Sequence, residues 1–154
     1  MPNQVVEVAI TFDKEYTYKE LKSMLPSNLK VNWYWLGTES NYDITNIKLS
    51  DLFGLNLDPS NPESSFEYFY KCLGKSIKEN INGQYGDGIS QYDTVDDLTF
   101  FHKSYKKLSQ AKFSGVILTG KSENFAQLDG ESWIYVSSIG ALIPNQPYYK
   151  LDKE

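Results

Sequence analysis

The stretch VVEVAITFDKEYTYKELKSMLPSNLKVNWYW, residues 5–35, decides the fold. Its first part alternates: Val6, Val8, Ile10 and Phe12 fall on one side, while Glu7 and Thr11 fall on the other. A period of two is the signature of a half-buried strand. Asp13-Lys14-Glu15 reads as the turn that ends it. Thr17 and Glu20 then stand at capping-box spacing, hydroxyl and carboxylate each placed to cover a free amide of a helical first turn. Tyr18, Leu21, Met24 and Leu25 follow at helical spacing, and Pro26 closes the helix. Leu29, Val31, Trp33 and Trp35 alternate again. The opening unit is therefore β-α-β.

The end of the chain repeats that plan. Phe113 to Leu118 is an apolar strand, Thr119-Gly120 a turn, and Ser122 a helix N-cap with Phe125 and Leu128 facing inward. Asp129-Gly130 breaks the helix, and Trp133 to Ile143 forms the closing strand. Between the two ends, residues 37–61 are polar and turn-rich, with Leu49, Leu52, Phe53 and Leu55 tacking them to the core. Asn61-Pro62 reads as an N-cap followed by proline at the first helical position. Phe66, Phe69, Tyr70, Leu73, Ile77 and Ile81 make a long apolar helical stripe. A glycine-rich connector follows, and Thr94 opens a second helix carrying Val95, Leu98, Phe101, Tyr105 and Leu108.

Together these elements predict a single α+β domain over residues 1–154. Its core is an antiparallel or mixed four-stranded sheet, built from two split βαβ units in a ferredoxin-like arrangement. A pair of helices is inserted in a variable region over residues 37–112.

Composition bounds the function. A chain of 154 residues buries about 70% of the surface its unfolded form exposes, enough for a core without a metal or disulfide staple. The formal net charge is −5, and all 15 basic residues are lysine. Arginine's planar fork is the usual tool for phosphate and nucleic acid, and an acidic chain repels a phosphate backbone. Nucleic acid is therefore excluded as an expected partner. Cys72 is the single cysteine, so no intrachain disulfide can form. No apolar run is long enough to cross a membrane, so any membrane association is expected to run through a segment absent from this chain.

Gly115-Val116-Ile117-Leu118-Thr119-Gly120-Lys121-Ser122 satisfies the Walker A pattern letter for letter. A phosphate loop needs its strand to end before the first glycine, so that backbone amides curl towards the ligand. Here Val116, Ile117 and Leu118 are strand formers that ask to be buried. The stretch reads as strand and turn, with nucleotide binding as the minor alternative. Gly74-Lys75-Ser76 lacks the first glycine and lies within a helix.

Other candidates are equally bland. His102 is the lone histidine, short of the three or four ligands a metal site needs. Cys72 lies among Phe69, Tyr70 and Leu73 and reads as a small core residue. Nothing local would activate a pair with His102. Asp93, Asp96 and Asp97 suit a helix N-terminus, and their spacing from Asp87 does not match a calcium loop. No catalytic residue, metal ligand or cofactor is expected, and the chain reads as a binding module rather than an enzyme. Trp33, Tyr34 and Trp35 occupy both faces of one strand, so at least one large ring is expected to point away from the main core. Exposed Trp and Tyr serve protein interfaces and sugar-binding faces, and these three are the expected partner-binding residues.

The residues also carry a resemblance. Val5 to Lys14, Tyr18-Lys19-Glu20-Leu21, Leu25-Pro26 and Asn32-Trp33-Tyr34-Trp35 resemble the C-terminal domain of bacterial sigma factor regulators. So do Gly115 to Gly120 with its short helix and Ser138-Ile139-Gly140-Ala141-Leu142. The resemblance implies a membrane-anchored anti-sigma factor: a cytoplasmic segment that holds the sigma factor, one membrane helix, and this domain on the extracytoplasmic side. It implies no catalytic residue, and a role in receiving a protein or small-molecule signal. The alternative is a secreted carbohydrate- or peptide-binding module presenting Trp33 or Trp35.

Overall fold

The computed structural model describes residues 4–36, 54–81 and 99–144. Five strands form one sheet in the order β3-β2-β4-β1-β5, where β1 is Gln4–Thr17, β2 Lys30–Leu36, β3 Gly54–Leu55, β4 Lys112–Lys121 and β5 Ile134–Pro144. Every pairing is antiparallel, which removes the mixed alternative. The sheet has five strands rather than four, because Tyr34 and Trp35 on β2 pair with Leu55 and Gly54. A two-residue strand in a polar, turn-rich stretch has no alternation by which to announce itself. The opening and closing units interleave: β4 lies between β2 and β1, and β1 lies between β4 and β5.

One expectation fails within β1. Asp13-Lys14-Glu15 does not end the strand; β1 runs on to Thr17. Thr11 faces Gly115 and Tyr16 faces Phe113, so the three residues are held out as an irregularity in the ladder. Two bonds hold that kink. The Asp13 amide donates to the Trp133 carbonyl (2.9 Å), and the Tyr16 hydroxyl donates to Asp13 Oδ1 (2.6 Å). The kink keeps Phe12 and Tyr16 both in the core, edge to face at 5.5 Å between ring centroids.

Helix α1, Tyr18–Met24, carries the expected capping box. Thr17 Oγ1 accepts from the Glu20 amide (3.3 Å), and Glu20 Oε1 accepts from the Thr17 amide (3.2 Å). The Thr17 hydroxyl also donates to Glu20 Oε1 (2.9 Å), and the two bonds that this oxygen accepts from Thr17 hold the Glu20 carboxyl below its ordinary range. Helix α2, Pro62–Ile81, begins at the expected proline, with Asn61 Oδ1 accepting from the Ser64 amide (3.3 Å). Its stripe of Phe66, Leu73 and Ile77 is buried in the same core as Ile10, Phe12, Val116 and Leu118. The second inserted helix is described only over residues 99–104; Thr94, Val95 and Leu98 lie outside the described residues. Phe101 is buried there as expected, but the helix stops short of Leu108, which begins a separate 3-10 turn, Leu108–Gln110.

The closing helix also differs from expectation. It is a 3-10 helix, Ser122–Leu128, and Ser122 is its first residue rather than its cap. The ladder with β1 extends to Val5–Lys121, so β4 hands directly into the helix. Leu128 is buried and Phe125 packs against the core, as the pattern requires. Gln127 Nε2 donates to Asn28 Oδ1 (2.8 Å), tying this helix to the opening unit. Among the described residues no polar or charged residue is buried. The core is a hydrocarbon and aromatic layer between the sheet and its helices, and burial of each large side chain contributes about 1.5–3 kcal/mol.

Candidate functional site

The Walker-like string lies in β4, the central strand of the sheet. Gly115 to Lys121 pair residue by residue with β1, and Gly115 to Thr119 also pair with β2. Its backbone amides are thus committed to two ladders and cannot cradle a phosphate. The glycines have packing reasons instead. Gly115 lies beneath the Trp35 indole, and a β-carbon on Gly120 would stand 2.6 Å from Leu29 Cδ2.

The aromatic strand divides as its alternation requires. Tyr34 faces the helical side, with ring centroids 6.0 Å from Tyr18 and 5.2 Å from Phe113. Burial pushes its phenol pKa well up. Trp33 and Trp35 take the opposite face of β2. Trp35 is only 8% exposed, and Trp33 is half-buried against Gly54. Tyr34 and Trp35 therefore spend their area inside the chain, and Trp33 alone of the three keeps surface for contact. Tyr68 on α2 is 73% exposed, whereas Tyr85, Tyr92, Tyr148 and Tyr149 lie outside the described residues.

His102 stacks flat on Tyr70, centroids 4.3 Å apart and planes within 6°, and its carbonyl accepts from the Tyr70 hydroxyl (3.1 Å). Gly74, one turn along α2, makes room for the imidazole: a β-carbon there would stand 2.8 Å from Nε2. Cys72 corrects an expectation, because it is exposed rather than part of the core. Two residues are about 200° of helix, which turns Cys72 away from the Tyr70–Gly74 face that holds His102. The two side chains form no nucleophilic pair. Among the described residues no group of three or more His, Cys, Asp or Glu could hold a metal ion. Asp87, Asp93, Asp96 and Asp97 lie outside them.

A groove of about 490 Å³ lies on the helical side of the sheet, between β1, β5 and the 3-10 helix. Val6, Val8 and Ile10 form its floor because they are the inward positions of β1. Phe125 and Leu128 form one wall, and Ser137 and Ile139 of β5 form the other. Asp129 and Glu131 stand at its mouth on either side of Gly130, whose φ of 78° makes the tight reversal after the helix. Trp133 Nε1 donates to Glu131 Oε2 (3.0 Å), which engages one of its two carboxylate oxygens. Mostly apolar walls with a few polar groups at the mouth are the usual make-up of a ligand site.

The outer wall of the groove is the edge of the sheet. β5 is the last strand in the order, and its Tyr135, Val136 and Ile139 are 54%, 52% and 63% exposed. No local signal marks these residues as an edge, because β5 alternates like any strand and only the sheet order sets it at the margin. Only its lack of charge stands out in the sequence: Ile134 to Pro144 contains no charged residue, where edge strands usually carry some.

Among the described residues no helix is long and apolar enough to cross a membrane. Comparison with curated proteins and with solved structures finds no match. A family model does match, over residues 1–141. That model describes the C-terminal domain of sigma factor regulators, and the chain belongs to this family of regulatory anti-sigma factor domains.

Proposed function

We propose that this chain is the extracytoplasmic sensing domain of a membrane-anchored anti-sigma factor, and that it works by binding a protein or small-molecule signal without chemistry. Family membership over residues 1–141 is the observation that carries this reading. The groove between β1 and β5 supports it, since ligand sites are usually concave and mostly apolar. Membrane attachment and the grip on the sigma factor belong, in this reading, to segments other than residues 1–154. The order β2-β4-β1-β5 supports a ferredoxin-like reading of the four long strands, with β3 added at one edge. Of Trp33, Tyr34 and Trp35, Trp33 would touch a partner and the other two would shape the strand that presents it.

The test is made in the native cell. Deleting the coding region for residues 1–154 in frame is expected to change the transcripts of one extracytoplasmic-function sigma factor's promoters. An unchanged transcript profile would overturn the regulatory reading. Protease added to intact cells is expected to cleave an epitope-tagged chain, and full protection would place the domain on the wrong side. A glycan panel read by tryptophan fluorescence separates signal reception from carbohydrate binding, and no spectral change is expected.

A further inference from the structure

We propose that the groove beside β5 receives an extended protein segment with alternating apolar side chains and a lysine or arginine that reaches Asp129 and Glu131. This deepens the partner-binding part of the reading above and rests on it.

Three observations fit together. The apolar floor and walls, from Val8 to Ile139, accept side chains rather than a polar ligand. The mouth carries two carboxylates, and no cation lines the groove. Glu131 has one oxygen engaged by Trp133, and the Asp129 carboxylate, whose backbone amide caps the 3-10 helix at the Ala126 carbonyl, has no hydrogen-bond or ion-pair partner among the described residues. A ligand with a positive end is favoured there, and one with a negative end is repelled.

The outer wall decides that the ligand is a polypeptide. β5 has no neighbour on its outer side among the described residues, so its backbone can accept a further strand. Regular pairing with β1 holds in two stretches of four residues, Val136 to Ile139 and Ala141 to Pro144, with a register shift between them and another before Val136. Such shifts twist an edge and limit what can pair with it. The ladder available to a partner is therefore short, and side chains seated in the groove must supply the rest of the affinity. Ser137 and Ile139 both line the groove and belong to the first of those stretches, so a strand laid beside them would drop alternate side chains into it.

A second copy of this chain is the wrong occupant on charge. Its β5 carries no charged residue, so it would leave Asp129 and Glu131 unmatched. It would also bring a second pair of carboxylates towards the first, in a chain whose net charge is already −5.

The experiment titrates the full chain with two fluorescein-labelled peptides, Lys-Val-Leu-Val-Leu-Lys and Glu-Val-Leu-Val-Leu-Glu, by fluorescence anisotropy. The basic peptide is expected to bind about fivefold or more tightly than the acidic one. That preference should shrink as salt is added. Asp129→Lys should erase the preference, and Ile139→Ser, at an exposed position, should weaken both peptides without unfolding the chain. Equal binding of the two peptides, or binding of neither, overturns the proposal. So does sedimentation showing a dimer that Ile139→Ser returns to monomer, because the occupant is then a second copy. None of these outcomes depends on the transcript or protease measurements, so either reading can fail alone.

Discussion

The indole of Trp35 lies so close over Gly115 that a β-carbon at that position would overlap the ring, and it would also stand 2.5 Å from the Ile10 carbonyl oxygen. Glycine at 115 is thus a packing requirement of the strand that lies beneath Trp35. The first glycine of the Walker-like string is explained without any phosphate. Gly115→Ala forces β4 away from β2 or from β1, and overpacking of this kind costs about 1–3 kcal/mol. Urea unfolding should show a lower midpoint at unchanged slope.

Lys121, the residue that would reach a nucleotide's phosphates in a genuine phosphate loop, instead ends the ladder opposite Val5. Titration with magnesium–ATP should release no heat. Lys121→Ala should leave both that result and the stability within about 0.5 kcal/mol of the original, as for an ordinary surface change. Saturable heat lost on Lys121→Ala would restore the nucleotide reading.

Much of the architecture is legible from residues in series. The alternation from Val6 to Phe12, the Thr17–Glu20 capping box and the Asn61-Pro62 start of α2 each depend on neighbours within a few positions, and each stands where local chemistry puts it. What depends on distant partners is not legible. Asp13-Lys14-Glu15 has the composition of a turn, yet Phe113 and Trp133 keep it inside β1. Cys72 has apolar neighbours in sequence, but helix rotation turns it to solvent. The groove joins Val8 to Phe125 and Ile139, residues that meet only because β1 lies between β4 and β5. No local pattern encodes that order.

The capping box makes stability depend on acid. The amide and hydroxyl of Thr17 hold the Glu20 pKa below its unfolded value, so the carboxylate's contribution to stability is complete above the ordinary glutamate range. That contribution disappears as pH falls through the lowered folded value. Glu20→Gln should therefore unfold at lower urea than the parent at neutral pH, with the gap closing in acid. Thr17→Ala, which removes the hydroxyl acceptor, should cost about 1 kcal/mol at neutral pH.

At the alkaline end the signature belongs to Tyr16. Its hydroxyl donates to Asp13, and that bond, with burial, raises the phenol from 10.0 to about 12. The protonated form is the one the fold prefers, so this stabilisation is complete below pH 10.0 and is lost as pH rises through about 12. Ultraviolet titration of tyrosinate should show a step near pH 12 that disappears in Tyr16→Phe, while the still later ionisation of buried Tyr34 remains. Asp13→Asn removes the charge and should move that step earlier, whereas a titration unchanged by either substitution would sink the assignment.

Gly74 and His102 should be coupled energetically. Glycine inside a helix costs about 1 kcal/mol relative to alanine, so Gly74→Ala in α2 would ordinarily stabilise the chain. Here the new methyl would meet the imidazole, 2.8 Å from Nε2, and the ring is pinned by its stack on Tyr70. The gain should be cancelled or reversed while His102 is present. In a His102→Ala background the obstruction is gone, and Gly74→Ala should recover about 1 kcal/mol. A double-mutant cycle by urea unfolding therefore should give a coupling well above the 0.3–0.5 kcal/mol, on the order expected of independent sites. Strict additivity would mean that the imidazole does not occupy the space over Gly74, and the Tyr70–His102 stack would fall with it.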